Sequence, residues 1–319
     1  MPTITYQGNS YECSSEQTLL DGVNSQGANL PYGCRSGLCQ GCLVKAVKGI
    51  PPASAQMGIK PTLKEKGYFL SCLCKPESDL EISRPDRRDE YIPVTVSKIE
   101  QLNPSIIRLV TTSPDNFSYK PGQFVNIIRS GDGLARSYSL ASVPDDGQLE
   151  FHIRLLPDGK MSGWIANELK SGDELLLSEA MGDCCYRNAY ADRPLLLAGT
   201  GTGLAPLYGI LRDALSFGHR REITLLHGGL SSDDLYLHTA LSELAAEHDN
   251  LSYIPCVLHG EAPENGLSGS IDTLIPAQLG SGDDWAAFLC GDAAIVTAMR
   301  RNCFRHGVDE NSIHSDTFG

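Results

Sequence analysis

Between Cys34 and Cys42 the chain places three cysteines within nine residues, Cys34-Arg35-Ser36-Gly37-Leu38-Cys39-Gln40-Gly41-Cys42. No other feature limits the fold as strongly, because thiols this close must either oxidise or share an occupant. The chain has 11 cysteines, an odd number and a poor disulfide framework. Five lie from Cys34 to Cys74; the others are Cys13, Cys184, Cys185, Cys256, Cys290 and Cys303. Met1–Ser10 is polar and strand-like, without the basic end and apolar stretch of a secretory leader. No apolar run approaches the roughly 20 residues that span a bilayer. The expected setting is the reducing cytoplasm, where a local cysteine cluster reads as a metal site. Thiolates are soft ligands that suit iron or zinc. Gly33, Gly37 and Gly41 are expected to let the loop tighten and bring backbone N–H groups to the sulfurs.

The spacing Cys-x4-Cys-x2-Cys with a distant fourth cysteine is that of plant-type [2Fe–2S] ferredoxins. Structural zinc is the alternative, but zinc sites usually use two close cysteine pairs, and here only one pair is close. Cys72 and Cys74 both stand available as the fourth ligand. The run Tyr68-Phe69-Leu70-Ser71-Cys72-Leu73-Cys74 resembles the ferredoxin pattern in which the ligand follows Leu and a small residue. That resemblance implies the set Cys34, Cys39, Cys42 and Cys72, with Cys74 a bystander.

At 319 residues the chain has room for two or three domains of roughly 100–200 residues each. In the first block, Thr3–Tyr6 and Ser10–Cys13 read as a hairpin around Gln7-Gly8-Asn9. Ser14 or Ser15 is expected to cap a short helix through Leu19, Leu20 and Val23. Leu43–Val47 and Leu80–Ser83 read as strands. The run from Arg84 to Glu90 is charge and proline without an apolar side chain for a core, which predicts a linker. Next come Ile92–Ile99, Ile106–Thr111, Gln123–Ile128, Arg136–Ala141, Leu149–Leu155 and Glu174–Ser178, short strands separated by turn residues and interrupted by a helix at Ser162–Glu168. This is the pattern of a β-barrel. In the last block, strands Leu195–Ala198, Glu222–His227, Leu251–Val257 and Ala286–Cys290 alternate with helices Pro206–Phe217, Asp234–Glu247 and Ala293–His306. That alternation predicts βαβ units and a parallel sheet. The expected division is 1–84, a linker at 85–91, 92–190 and 193–319.

Three further motifs carry chemistry. Pro121-Gly122-Gln123-Phe124-Val125 precedes Arg136-Ser137-Tyr138-Ser139 in the barrel block. Gly159-Lys160-Met161-Ser162 opens a helix, whose free N–H groups and dipole suit a pyrophosphate. Strand Leu195–Ala198 runs into Gly199-Thr200-Gly201-Thr202-Gly203-Leu204-Ala205-Pro206, a glycine-rich turn that opens a helix and can cradle phosphate. Its third glycine comes too early for the G-x-G-x-x-G dinucleotide fingerprint.

In this order, the motifs resemble the ferredoxin–NADP reductase superfamily, and the whole chain resembles the reductase components of bacterial multicomponent oxygenases. Similar chains also serve deoxysugar biosynthesis. The resemblance implies an N-terminal β-grasp ferredoxin domain, an FAD-binding antiparallel β-barrel and a C-terminal α/β nucleotide-binding domain. It implies that Arg136 neutralises the FAD pyrophosphate, that Tyr138 stacks on the isoalloxazine and that Ser139 bonds near flavin N5. Gly159, Lys160, Met161 and Ser162 would hold phosphate, and His152, Ile153 and Arg154 would line the adenosine side. Gly199, Thr200, Gly201, Thr202 and Gly203 would cradle the nicotinamide nucleotide. Cys290, followed by Gly291 and Asp292, would sit beside the nicotinamide, while Asp316 and Phe318 of the C-terminal tail 316–319 would approach the flavin. One departure is Glu179-Ala180-Met181-Gly182, where relatives often have Gly-Pro-x-Gly, which leaves the loop's local shape open. Leu230 stands where relatives often carry Arg. With Asp233 and Asp234 close by, a 2′-phosphate would be repelled, so NADH is the expected donor.

The implied activity is electron transfer from NADH through FAD to a [2Fe–2S] cluster and on to an oxygenase or hydroxylase. Two alternatives stand beside it: an NADH:quinone or flavin reductase without a protein partner, and an iron–sulfur redox sensor. The sensor reading makes no use of Arg136-x-Tyr-Ser or the Gly199 turn. Residues 1–90 carry ten basic and ten acidic residues, so the whole net charge of -13 falls on 91–319. An acidic body lacks the basic footprint that nucleic acid requires.

Overall fold

A computed structural model describes residues 1–59, 61–85, 91–115, 117–280 and 284–318. Most of the expected linker, residues 86–90, lies outside the described residues. The chain gathers into two compact units: Met1–Pro93 with Asn126–Ser137 and Leu175–Glu179, and Val94–Val125 with Tyr138–Glu174 and the chain from Ala180 onward.

The N-terminal sheet is built from β1 (Thr3–Tyr6), β2 (Asn9–Glu12), β3 (Leu43–Lys48), β4 (Tyr68–Leu70) and β5 (Leu80–Ser83), in the order β2-β1-β5-β3-β4. β1 and β2 form the expected hairpin, with Gln7 and Gly8 at φ 52° and 80° making the turn. β1 runs parallel to β5, while β1 with β2, β3 with β4 and β3 with β5 pair antiparallel. Alternation buries Ile4 and Tyr6 from β1 and Leu80 and Ile82 from β5. Helix α1 (Leu19–Ser25) lays Leu19, Leu20 and Val23 on this core. Its cap is Thr18, whose hydroxyl accepts from Asp21 N–H at 3.2 Å, not Ser14 or Ser15. Ser14 instead closes its own turn by accepting from Glu16 N–H. The short helix α2 (Pro61–Glu65) precedes β4. Arg84, expected in the linker, belongs to this unit: its Nε donates to Tyr6 Oη at 2.7 Å.

The barrel strands are β6 (Ile92–Asn103), β7 (Ile106–Thr112), β8 (Phe124–Ile128), β9 (Ala135–Ser139), β10 (Gln148–Arg154) and β11 (Glu174–Leu177), in the order β10-β7-β6-β11-β8-β9. β10 with β7, β6 with β7 and β11 with β8 pair antiparallel, and every expected strand is present with ends shifted by a few residues. Helix α3 (Lys160–Asn167) follows Gly159.

The last sheet takes β12 (Leu195–Thr200), β13 (Ile223–Gly229), β14 (Leu251–Val257), β15 (Leu267–Ser268), β16 (Ala286–Asp292) and β17 (Ile313–Phe318), all parallel, in the order β15-β14-β13-β12-β16-β17. Helices α4 (Leu204–Ser216), α5 (His238–Glu247), α6 (Ile271–Leu279) and α7 (Ala293–Arg305) connect the strands. From β12 the chain steps outward to β13–β15, then returns to the other side for β16 and β17. The carboxyl ends of β12 and β16 therefore flank the point where strand order reverses, which is where open α/β sheets bind their ligands.

Candidate functional site

The cysteine loop winds through positive φ at Arg35, Gly37 and Gln40, with values of 55°, 83° and 52°. Gly33 is required for space, since a Cβ there would lie 2.8 Å from Cys39 Sγ, whereas one at Gly41 would meet it at an ordinary 3.5 Å. The winding aims backbone donors at sulfur. Cys34 N–H reaches Cys39 Sγ and Cys39 N–H reaches Cys34 Sγ, each at 3.3 Å, while Ser36 and Gly41 N–H reach Cys34 and Cys39 Sγ at 3.4 and 3.5 Å. The cysteines come in two pairs: Cys34 and Cys39 each accept the other's backbone N–H at sulfur, and Cys42 Sγ lies 3.1 Å from Cys72 Sγ. Among the described residues no three His, Cys, Asp or Glu side chains converge as a site for one metal ion. Two pairs of thiols fit a two-iron group with two ligands per iron and disfavour one tetrahedral zinc ion. Cys39, Cys42 and Cys72 are buried and Cys34 is exposed. Cys74 is sequestered in the N-terminal core.

On the flavin strand, Arg136 donates through Nη1 to the carbonyls of Tyr32 and Ala135 at 3.0 and 2.8 Å. Tyr138 is half-buried and Ser139 buried at the end of β9. On β10 the outcome differs from the expectation. His152 is enclosed, with Nε2 bonded to Glu150 Oε1 at 2.8 Å and Nδ1 to Tyr236 Oη at 3.1 Å, and Ile153 is fully buried. Neither offers a free side chain to adenosine, and of the three only Arg154 is exposed. Packing accounts for this: alternation turns Leu149, Phe151 and Ile153 to one face of β10, and Tyr236 covers His152 on the other. α3 has no side-chain cap, which leaves its first-turn N–H groups to other acceptors. Ser162 is not among the outward groups, since its Oγ accepts from Leu156 N–H at 3.2 Å. The departure at Glu179–Gly182 is ordered: Met181 and Phe124 exchange backbone bonds of 2.9 and 2.8 Å, and Gly182 sits at φ 99°.

At the switch point the two nucleotide loops touch backbone to backbone. A Cβ on Gly203 would lie 2.3 Å from the Cys290 carbonyl, and one on Gly291 would lie 2.5 Å from Thr200 Oγ1. Parallel register sets Cys290 beside Asp316 and Asp292 beside Phe318. The tail's last residue, Gly319, lies outside the described residues. Cys290 is fully buried, its Sγ 3.8 Å from Cys184 Sγ, and burial holds its thiol well above the usual range, so it is protonated at neutral pH. Asp292 caps α7 by accepting from Ala294 N–H at 2.9 Å. α4, which starts from the Gly199 turn, meets the flavin strand closely: a Cβ on Gly209 would be 3.0 Å from the Leu140 carbonyl.

Residues 3–77 match the family of 2Fe-2S iron-sulfur cluster binding domains, 93–186 that of oxidoreductase FAD-binding domains and 197–301 that of oxidoreductase NAD-binding domains. The chain is 32% identical to the ferredoxin–NAD(P)+ reductase component of a naphthalene 1,2-dioxygenase system from Pseudomonas putida, over 96% of its own length and 94% of the relative's. The chain belongs to this family of iron–sulfur flavoprotein reductases. The reductase is also 33% identical to the phenol 2-monooxygenase reductase component DmpP of Pseudomonas sp. strain CF600, over 96% of itself and 92% of that relative. The crystal structure of the Amycolatopsis cytochrome P450 reductase GcoB superposes with a TM-score of 0.70 at 28% identity, covering 100% of this chain and 99% of the other. The reductase is an oxidoreductase with [2Fe–2S], FAD and NAD domains, and its fold is the one expected from sequence. Among the described residues no helix is long and apolar enough to cross a membrane.

One group of buried residues in the reductase escaped the motif reading. His227, Tyr236, Tyr253 and His238 adjoin the Glu150–His152 pair. The Glu150 carboxylate requires a proton on His152 Nε2, so Nδ1 accepts from the Tyr236 hydroxyl. Burial lowers the His152 pKa despite Glu150 and keeps the ring neutral. His227 is fully buried, with Nδ1 3.2 Å from Tyr253 Oη and no partner for Nε2 among the described residues. Scattered over three strands, a loop and the start of α5, these residues form no motif that sequence could reveal.

Proposed function

We infer that this reductase takes electrons from NADH and passes them through FAD and a [2Fe–2S] cluster to an oxygenase or hydroxylase, as a cytoplasmic component without a nucleic-acid or membrane partner. The observation that carries the reading is the two-by-two pairing of cysteine sulfurs under converging N–H donors. When bound, the flavin accepts a hydride and the cluster carries single electrons. Cys34 and Cys39 would hold one iron, and Cys42 and Cys72 the other. Arg136 faces the FAD pyrophosphate, Tyr138 and Ser139 the flavin ring, and the first turn of α3 a phosphate. The 199–203 turn orients the nicotinamide nucleotide. Cys290, a neutral thiol, forms an apolar wall beside the transfer site, with Asp316 and Phe318 alongside. The division proposed is 1–84 for the cluster, 92–190 for the flavin and 193–319 for the nucleotide, with a linker at 85–91. NADH is favoured because exposed Leu230 offers a 2′-phosphate no cation. Asp234 is partly withdrawn, since its carboxylate accepts from Ser231 N–H at 2.9 Å, so Asp233 supplies most of the repulsion.

The test is an anaerobic NADH titration followed by visible absorption and EPR, with metal analysis. Bleaching of flavin and cluster bands together with a [2Fe–2S] signal is expected. A colourless or zinc-loaded protein would overturn the reading.

A further inference from the structure

Asn126 on β8 and Ser137 on β9 belong to strands of the flavin block, yet their side chains engage the cysteine loop. Asn126 is 3% exposed. Its Nδ2 donates to the Cys39 carbonyl at 2.7 Å, and its Oδ1 accepts from Ser137 Oγ at 2.8 Å. Close by, Ser137 Oγ lies 3.4 Å from where a Cβ on Gly33 would sit. The Arg136 guanidinium lies 5.3 Å from the Tyr32 ring centroid, besides its bond to the Tyr32 carbonyl. Tyr32, Gly33 and Cys39 are thus each met by a residue of β8 or β9. Ser137 is joined in the chain to Tyr138 and, beyond it, Ser139.

A buried primary amide is costly unless both its ends are matched. Here one end donates to a carbonyl and the other accepts from a hydroxyl. A carboxylate at 126 would turn lone pairs toward the Cys39 carbonyl, and an apolar side chain would leave that carbonyl and the Ser137 hydroxyl unpaired. The residue type therefore serves a bridge more than a packing need.

We propose that Asn126 is a positioning residue for electron transfer. It ties the backbone of Cys39 to Ser137 and so holds the cysteine loop in fixed register with the strand leading into Tyr138-Ser139. The proposal rests on the function inferred above. With both groups bound, the flavin would supply single electrons to the cluster with no bond made or broken. Asn126 sets how firmly the cysteine loop is held against β8 and β9.

The experiment mixes holoenzyme with NADH anaerobically and follows flavin bleaching by stopped flow and reduced cluster by freeze-quench EPR. Cluster potential and amide hydrogen exchange over residues 32–42 are measured on the same samples. Asn126→Asp keeps shape and the acceptor for Ser137 but removes the donor to Cys39. Its flavin is expected to bleach at the wild-type rate while cluster reduction slows about tenfold, the equivalent of one buried hydrogen bond. Its potential should stay put and exchange at 32–42 should quicken. Ser137→Ala should give the same pattern more weakly, and Asn126→Gln should restore part of the rate. Cluster reduction at the wild-type rate in both Asn126→Asp and Ser137→Ala, with unchanged exchange, overturns the proposal. So does a slowing wholly accounted for by a shifted potential. If Asn126→Asp fails to retain its cluster, Ser137→Ala, which leaves the bond to Cys39 in place, decides by the same readouts. Failure of NADH to reduce the wild-type flavin or cluster is a separate result that removes the function itself.

Discussion

At the scale of single residues, Cys72 and Cys74 stand two positions apart and have different surroundings. Cys72 Sγ lies 3.1 Å from Cys42, whereas Cys74 is fully buried and its carbonyl accepts from Leu19 N–H at 2.6 Å. Cys72→Ser is expected to abolish the visible cluster bands and lower iron per chain. Cys74→Ala should keep both and cost about 1–2 kcal/mol in stability from a small cavity. Iron assay and denaturant melts separate the two. Gly203 offers another test, because its missing Cβ leaves room for the Cys290 carbonyl. Gly203→Ala forces two backbones apart and is expected to cost about 1–3 kcal/mol and to weaken NADH binding. Wild-type affinity in a calorimetric titration would remove the claim that the turn is built for close approach. The cluster of Cys34, Cys39 and Cys42 was legible because its spacing is local, whereas the nearness of Cys72 to Cys42 comes from the fold. The turns at Arg35 and Gln40 were not, since positive φ at non-glycine residues is imposed by the winding of the loop and leaves no mark in residue type.

Among elements, the carboxyl ends of β13 and β14 form the edge to which the proposed function assigns nucleotide preference. Leu258 N–H bonds to the Gly229 carbonyl at 3.1 Å and His259 N–H to that of Leu230 at 2.8 Å, so two exposed leucines lie side by side there. Leu230→Arg is expected to improve binding of 2′-phosphorylated nucleotides by about fivefold, in keeping with roughly 1 kcal/mol for an exposed ion pair. Affinities for AMP and 2′-phospho-AMP measured side by side check this, and an unchanged ratio would exclude Leu230 from the site. Most strands of this domain could be read from their apolar runs. α6 could not, because Pro276 sits inside it and argues against a helix until packing of Ile271, Ile275 and Leu279 outweighs the lost hydrogen bond. β17 was missed for a related reason: His314, Ser315, Asp316 and Thr317 carry no strand pattern, and only pairing with β16 makes them one.

For the whole molecule, the enclosed histidines tie stability to pH. Burial, followed by the neighbouring charges of His238 and His152, pushes the His227 pKa down to about 3 from 6.5. The unfolded chain therefore takes up this proton first. The stability that a neutral His227 contributes is present above about pH 6.5 and is lost as pH falls toward 3. His152 is shifted the same way, by burial working against Glu150. Tyr236 and Tyr253 complete the surroundings and stay neutral throughout, their pKa values raised by burial. Melting temperature is expected to drop steadily from about pH 7 to pH 4, and His227→Phe, which cannot titrate, should flatten that slope. Parallel slopes would mean that acid lability arises elsewhere. Electron flow can be divided at the same scale: Cys39→Ser should retain NADH:ferricyanide turnover and lose reduction of the oxygenase partner. The grouping of Asn126–Ser137 with the N-terminal residues has a practical meaning for recombination. A chimera that exchanges only the first 90 or so residues for another ferredoxin would confront the old Asn126, Arg136 and Ser137 with a foreign loop. The transplantable piece is discontinuous in the gene, and a working graft must carry that strand pair along with it.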